Sequence, residues 1–286
     1  MSQIVAASPH VTTKNSTAVI MRDVLIALLP AVLAGCVVFG LRALLVVTVT
    51  TAACVFFEWG FEKLCHTPST ISDLSAAVTG VLLAMNLPVS IPLWQAVFGA
   101  LVAIVAVKGL FGGIGKNFAN PAITARIVMF LAFSKSMTAW VFPDAVSSAT
   151  PLAMMANGES VDYLTLLLGN HGGCLGETSA LALLIGFAYL LIRGVISWHT
   201  PVCFVGTVFV MSLILGQDAV GQILSGGLML GAFFMATDYA TSPVTKPGQL
   251  IFGIGCGLLT CFIRRFGSYP EGVCYSILIM NCTTWL

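Results

Sequence analysis

A short polar stretch near the middle of the chain, DAVSSATPLAMM at 144–155, contains residue types that could take part in catalysis or be chemically modified. Its threonine is a poor nucleophile unless a base lies beside it, and the neighbouring sequence supplies none, so a hydrolytic site is not favoured. Because Pro151 restricts the residue before it, Thr150 is predicted to be extended. Two interpretations remain open on the residues alone: a Ser/Thr-rich turn before a helix, and a site where a separate enzyme attaches a group to Thr150.

Two further polar loops interrupt apolar sequence, GLFGGIGKNFANPAITAR at 109–126 and ATDYATSPVTKPGQ at 236–249. Glycine lets the backbone approach a ligand closely, while Asn, Thr and Ser supply neutral hydrogen bonds. The loops therefore predict the lining of an interior cavity, although ordinary tight turns between helices remain the alternative. GGIGKN lacks the G-x-x-x-x-G-K-[ST] spacing of a phosphate-binding loop, so a nucleotide site is not favoured.

Three carboxylates, Glu58, Asp73 and Asp238, lie in or beside apolar segments, where a charge is costly. They either handle an ion or a polar ligand, or they lie at interface depth or pair with a neighbouring base. The four histidines are isolated and the nine cysteines form no C-x-x-C pair. The chain by itself is therefore predicted to hold no metal and no catalytic side chain.

The composition decides the class of protein that must position these residues. Of 286 residues, 58% are hydrophobic and only 8% are charged, against about 25% charged in soluble domains. Such a chain cannot cover a water-facing surface, which predicts an integral membrane protein. The net charge of +1, with its cations scattered singly, does not favour a nucleic-acid partner.

Ten apolar segments are candidates for membrane-spanning helices, and they predict an all-α fold. They cover 23–40, 43–64, 71–88, 92–110, 120–134, 177–196, 200–216, 221–238, 248–265 and 271–286. Several are short or interrupted by Gly and Pro, notably the third, the fifth and the eighth. The whole chain, 1–286, is thereby predicted to be a single polytopic membrane domain.

The charges between these spans predict an orientation. With the N-terminus in the cytoplasm, eight Lys and Arg residues fall inside and four fall outside, a modest bias in the expected direction. The pair Arg264–Arg265 opposes it. In this orientation the long polar segment 135–176, with Thr150, lies on the outer face.

A faint internal repeat relates GVLLAMNLP at 80–88 to GAFFMATDYATSP at 231–243, each in the third span of its half. Halves of five spans at 20–135 and 175–286, joined by an outer loop at 136–175, would enter the membrane from opposite sides. In such inverted repeats, broken helices form the ligand site near the membrane middle. Chance similarity between apolar segments remains the alternative.

Five motifs together resemble the NqrB/RnfD family of membrane flavoprotein subunits over essentially the whole chain. They are D-x-x-S-S-A-T-P-L at 144–152, SPH at 8–10, MRDVLIALLPA at 21–31, NPA at 120–122 and ATDYATSP at 236–243. The first looks like the motif that a flavin transferase uses to attach FMN to threonine. Two departures are Ser148, where Gly is commoner, and Tyr239, where many relatives carry Pro.

The resemblance implies that Thr150 carries FMN through a phosphoester, with Asp144, Ser147, Ser148 and Ala149 recognised by the transferase. The family also holds a non-covalent riboflavin. The loop residues expected around it are Asn120, Asp238 and Thr241. The implied fold has ten membrane helices in two inverted five-helix repeats, similar to urea transporters.

The implied function is electron relay between ferredoxin and NAD within an Rnf-type complex, coupled to translocation of Na⁺ or H⁺. The implied partners are subunits of the RnfA, RnfB, RnfC, RnfE and RnfG types, in the inner membrane of a prokaryote, and the ferredoxin and NAD sites are expected on those subunits. The alternatives are a urea-transporter-like solute channel without redox chemistry, and a non-redox membrane anchor.

Overall fold

The protein is described by a computed structural model over residues 16–140, 150–169, 171–177, 179–267 and 272–284. Every regular element within these ranges is helical, which confirms the predicted all-α class. The motif residues Asp144, Ser147, Ser148 and Ala149 lie outside the described residues.

The part before the polar segment contains six α-helices. They are α1 (Thr17–Phe39), α2 (Leu41–Cys65), α3 (Ser75–Met85), α4 (Leu93–Leu101), α5 (Pro121–Ala132) and α6 (Ser134–Met137). Helix α4 continues as a π-helix over Val102–Gly109.

Eight α-helices follow in the remaining described residues. They are α7 (Pro151–Ala156), α8 (Tyr163–Leu168), α9 (Ala180–Ile192), α10 (His199–Ile214), α11 (Ala219–Leu224), α12 (Leu228–Leu230), α13 (Lys246–Phe266) and α14 (Val273–Thr283). Helix α12 continues as a π-helix over Gly231–Met235.

Local residue chemistry sets the ends of the first two helices. Ser16 caps α1 by accepting a hydrogen bond from the Val19 N–H, so α1 starts before the predicted boundary at residue 23. Gly40, at φ 71°, ends α1 and turns the chain directly into α2. The turn makes α1 and α2 antiparallel neighbours.

Eight of the ten predicted spans each overlap a single helical stretch within the described residues. In the third, 71–88, Leu74 at φ 63° separates a 3₁₀-helix (Ile71–Asp73) from α3. The eighth, 221–238, is also divided. Helix α11 ends at Leu224, and the chain breaks before α12 at Gly226 and Gly227, whose φ angles are 70° and 66°. Both angles lie in the left-handed region that glycine adopts without steric cost. This span is therefore two short helical pieces rather than one helix.

The outer surface of the helices is apolar. Val37 and Ile192 are each 85% exposed, and many other large aliphatic side chains also face outward. Among the described helices, α1, α2 and α13 are long and apolar enough to cross a membrane, and several shorter apolar helices accompany them. With an interior rich in buried polar groups, this arrangement is that of a multi-pass membrane protein.

Glycines allow the closest helix contacts. A Cβ added at Gly80 of α3 would lie 2.6 Å from Cα of Thr51 in α2. One added at Gly257 of α13 would lie 2.6 Å from Cβ of Thr207 in α10. Small residues at such contacts are the usual basis of helix association in lipid.

Candidate functional site

Thr150 lies at the start of α7 in an extended conformation, with φ −64° and ψ 155°. This confirms the conformation predicted from Pro151, which occupies the first helical position. The Thr150 Oγ1 accepts a weak hydrogen bond of 3.4 Å from the Ala153 N–H. Thr150 therefore caps a helix, as the simpler interpretation expected, and it also borders a cavity.

This Thr150 cavity has a volume of about 250 Å³. Its lining combines aromatic side chains with buried polar groups and three loop glycines. The lining residues are Arg126, Ile127, Phe130, Thr138, Trp140, Thr150, Pro151, Leu152, His171, Gly172, Glu177, Gly226, Gly272, Cys274 and Tyr275. They come from both sides of the polar segment.

Arg126 lines the Thr150 cavity and connects three residues that are distant in the sequence. Its guanidinium donates to Oδ1 of Asn86 at 3.0 Å and to the sulfur atoms of Cys174 and Cys274 at 3.2 Å each. Glu177 lies 3.7 Å away and supplies the opposite charge. A buried cation is thus paired and hydrogen-bonded, as its desolvation requires.

His171 and Glu177 present polar atoms without hydrogen-bond partners in the described part of the chain. The His171 Nδ1 lies 3.3 Å from the carbonyl oxygen of Gly172, which can only accept, so Nδ1 carries the proton. Burial lowers the pKa of His171, which keeps the ring neutral and leaves Nε2 as a buried acceptor without a donor. The Glu177 Oε1 likewise lacks a hydrogen-bond donor.

A second cavity, the Asp238 cavity, is lined by Asn120 and Asp238 and has a volume of about 80 Å³. Asp238 Oδ2 accepts from the Thr241 hydroxyl at 3.1 Å, so the three residues predicted around a second ligand do come together. The polar groups of these residues already form hydrogen bonds within the protein. Asn120 caps α5 by accepting from the Ala122 N–H at 3.0 Å and donates to the carbonyl oxygen of Met235.

Asn281 of α14 ties the two polar loops to each other. In the amide orientation that satisfies both of its groups, it donates to the Thr241 carbonyl and accepts from the Asn120 N–H, each at 3.1 Å. The predicted proximity of the two loops therefore has a defined hydrogen-bonded basis.

The three carboxylates singled out in the sequence have different surroundings. Glu58 is buried and pairs with Lys108. Asp73 accepts hydrogen bonds from the backbone and hydroxyl of Ser75, at 2.7 and 2.5 Å. Within the described ranges, no group of three or more His, Cys, Asp and Glu side chains could hold a metal ion.

The family model described as NQR2, RnfD, RnfE matches residues 4–286. The chain belongs to this family. It is 50% identical over 288 residues to the D-type subunit of the Na⁺-translocating ferredoxin:NAD⁺ oxidoreductase complex of Acetobacterium woodii, covering 98% of this chain and 91% of the relative.

Two further relatives, also D-type subunits, align over a similar length. That of the proton-translocating ferredoxin:NAD⁺ oxidoreductase complex of Clostridium ljungdahlii is 40% identical, over 98% of this chain and 92% of its own. The D-type subunit of the ion-translocating oxidoreductase complex of Halorhodospira halophila is 35% identical, over 99% of this chain and 92% of the relative. Relatives named for different ions match almost the whole chain, so overall similarity does not select the ion.

The structure changes the charge count used for orientation. Arg126 and Lys108, counted as cytoplasmic loop charges, are buried within helices. Arg264, counted as an outer charge, donates to carbonyl oxygens of Gln222 and Ser225 at the break after α11. Without these three, six charges inside oppose three outside, so the bias keeps its direction.

Sequence reasoning missed Arg126, His171 and Glu177 as site residues. The histidine is isolated in the sequence, and the glutamate stands in no motif. The sequence contained one indication for Arg126. This arginine lies six residues after the helix-capping Asn120, inside the predicted fifth span. An arginine at that depth indicates a polar partner or a water-filled cavity.

Proposed function

We propose that this chain is the D-type membrane subunit of an ion-translocating ferredoxin:NAD⁺ oxidoreductase complex, and that Thr150 carries FMN. The observation that carries the proposal is the placement of Thr150. An extended threonine within a flavinylation-type motif borders a cavity lined by aromatic rings and by buried polar atoms that have no hydrogen-bond partner among the described residues. The family and the names of its members support the wider assignment.

The Thr150 cavity has a volume of about 250 Å³, just below the range of about 300–1,000 Å³ typical of ligand sites, and its lining suits the ring of a flavin attached at its rim. Phe130, Trp140 and Tyr275 supply apolar surface for the faces of a planar ring. His171 Nε2 and Glu177 Oε1 would accept hydrogen bonds from its polar edge, and Arg126 would donate. When bound, the flavin supplies the redox chemistry, while this chain positions it and excludes water.

The proposal of riboflavin near Asn120, Asp238 and Thr241 has less support. The cavity there, at about 80 Å³, is well below the range of about 300–1,000 Å³ typical of ligand sites. The cavity would have to widen to accept a flavin, so we assign these residues no step in electron transfer.

We also propose ten membrane spans in two inverted halves, 20–135 and 175–286. The first spans of the two halves, α1 and α9, pack together, and so do the last spans, α5 and α14. The third spans meet where the Asn86 amide contacts the Met235 sulfur at 3.7 Å. Pairing of equivalent elements is expected around a pseudo-two-fold axis in the membrane plane.

In this arrangement α5 connects the two cavities. Asn120 at its start borders the Asp238 cavity, and Phe130 in its last turn borders the Thr150 cavity. Ten residues of helix correspond to a rise of about 15 Å. With the N-terminus in the cytoplasm, Thr150 faces the outer side of the inner membrane, within reach of a flavin-bearing partner subunit.

The complex would supply the ferredoxin and NAD sites on other subunits, and the separate flavin transferase would modify Thr150 during maturation. The solute-channel alternative and the non-redox anchor are not favoured, because the relatives are named as subunits of oxidoreductase complexes.

The test is a peptide-mass measurement on protein purified with its partner subunits from a host that expresses the transferase. We expect the peptide containing Thr150 to gain the mass of FMN less one water, as a phosphoester replaces the hydroxyl O–H bond. Thr150→Ala should abolish the gain. Thr165→Ala, at another described threonine after the motif, should keep it. An unmodified Thr150 in a host shown to flavinylate other proteins would contradict the proposal.

A further inference from the structure

A third cavity, of about 250 Å³, lies at the end of α2 that is remote from Gly40. Two glutamates line it, Glu58 and Glu62, together with Thr70, Lys108 and Gly112. We call it the Glu58–Glu62 cavity. It does not contain Thr150 or any residue placed around a flavin above.

The two glutamates are one helical turn apart and therefore share a face of α2. Both are more than nine-tenths buried, at 5% and 8% exposure. Oε1 of Glu62 accepts from the Thr70 N–H at 2.8 Å and from its hydroxyl at 2.5 Å. Oε1 of Glu58 accepts from the Lys108 ammonium.

The other oxygen of each carboxylate, Oε2, has no hydrogen-bond partner in the parts of the chain that the structure describes. Both unpartnered atoms belong to side chains that line the cavity. Buried carboxylate oxygens are normally satisfied, so these two indicate a bound species that the protein atoms do not provide.

Charge balance identifies the kind of species. Two buried carboxylates face one ammonium, Lys108, which leaves one negative charge. Asp73, bonded to Ser75, adds negative charge nearby, and the exposed Lys116, whose side chain lies against Gly112, keeps its own charge in contact with solvent. A bound cation offsets the remaining negative charge, as burial of carboxylates requires.

We propose that Glu58 and Glu62 bind a cation, Na⁺ or a proton, in this cavity. Carboxylate and hydroxyl oxygens are ligands for hard cations, and among the residues that the structure describes no thiol or imidazole lines the cavity to select a softer metal.

Lys108 places this site next to the Asp238 cavity. Its side chain lines both cavities, and its ammonium donates to Glu58 and to the Ser75 hydroxyl, the latter at 2.5 Å. A negative charge added in the Asp238 cavity would attract Lys108 away from Glu58 and strengthen cation binding there. This coupling rests on the proposed function, whereas cation binding itself does not.

The experiment compares variants of the purified complex. Unfolding temperature is measured as NaCl replaces choline chloride at constant ionic strength, and the infrared absorption of protonated carboxyl groups is recorded in the same samples. Glu62→Gln keeps an oxygen for Thr70 and removes the charge. The double variant combines Glu58→Gln with Lys108→Met and so removes one charge of each sign. Glu58→Gln alone would leave Lys108 buried without its ion-pair partner and could unfold the protein, which the double variant avoids. Glu159→Gln, at an exposed glutamate, is the matched control.

A Na⁺-specific rise in unfolding temperature that Glu62→Gln loses and Glu159→Gln retains would assign the site to Na⁺. A protonated-carboxyl band that Glu62→Gln removes, without a Na⁺-specific rise, would assign it to a proton. If neither signal differs between Glu62→Gln, the double variant and the control, the proposal is overturned. The mass of the Thr150 peptide in each sample shows separately whether the flavin assignment has failed.

Discussion

His171 illustrates how a single buried side chain acquires a role through its surroundings. Its Nδ1–H is directed at the Gly172 carbonyl, and its ring lines the Thr150 cavity together with the charged side chains of Arg126 and Glu177. Desolvation lowers the pKa of the imidazole, so the folded protein holds it neutral. Protonation would add a second cation to a cavity that already holds Arg126.

Because His171 is neutral in the folded protein, we predict that the protein loses stability in acid. The unfolded chain takes up a proton at the ordinary imidazole pKa of about 6.5, while the folded protein resists protonation until a lower pH. Stability is therefore complete above about pH 6.5 and falls as the pH is lowered toward the folded pKa, by up to about 1.4 kcal/mol per pH unit. Unfolding temperature measured from about pH 8 to about pH 5 would record it.

His171→Gln removes the titrating group, so its unfolding temperature should depend less steeply on pH over this interval. His66→Gln, at an exposed histidine, should retain the slope of the parent protein. Equal slopes for all three proteins would show that folding does not lower the pKa of His171.

Helix contacts at glycine decide the packing between elements. Gly186 of α9 lies against α1, and a Cβ added there would lie 2.1 Å from the carbonyl oxygen of Ala27 and 2.9 Å from the Phe234 ring. The backbone oxygen cannot move without shifting α1. The contact therefore depends on the absence of a side chain.

We expect Gly186→Ala to force α1 and α9 apart and to lower the free energy of unfolding by about 1–3 kcal/mol or more. Gly206→Ala is the matched control. It lies inside α10 with nothing within 4 Å of the added methyl group, so its effect should be neutral or slightly stabilising. Thermal unfolding of both variants in detergent measures the difference.

A Gly186→Ala variant as stable as the Gly206→Ala variant would mean that the α1–α9 contact is looser than the structure shows. Because these helices come from the two halves of the chain, the same variant also reports how strongly the halves depend on each other.

The proposed orientation of the whole molecule predicts which loops are reached from each side of the membrane. Cysteines are introduced singly at Glu159 and Lys246, both exposed, in a background where the exposed Cys65 and Cys282 are replaced. A membrane-impermeant maleimide should label position 159 in right-side-out vesicles and position 246 only in inverted vesicles. Labelling of both positions from one side would exclude the inverted arrangement of the halves.

Much of this architecture was predictable because it depends on neighbouring residues. The apolar runs predicted the helices, since lipid leaves the backbone no other partner than itself. The Thr150–Pro151 pair predicted an extended threonine, because the proline ring excludes the helical conformation before it. The glycines of the eighth span predicted an interruption there, because glycine adopts left-handed backbone angles without steric cost.

What the sequence determined by itself is therefore the membrane solvent, the helical class, most helix positions and the local conformation of Thr150. Only the tertiary structure brought Arg126 to Asn86 and Cys274, placed His171 and Thr150 around one cavity, and set Lys108 against Glu58. These contacts join residues up to 148 positions apart. Their formation depends on which helix faces meet, and an apolar run surrounded by lipid carries little periodicity to specify that face.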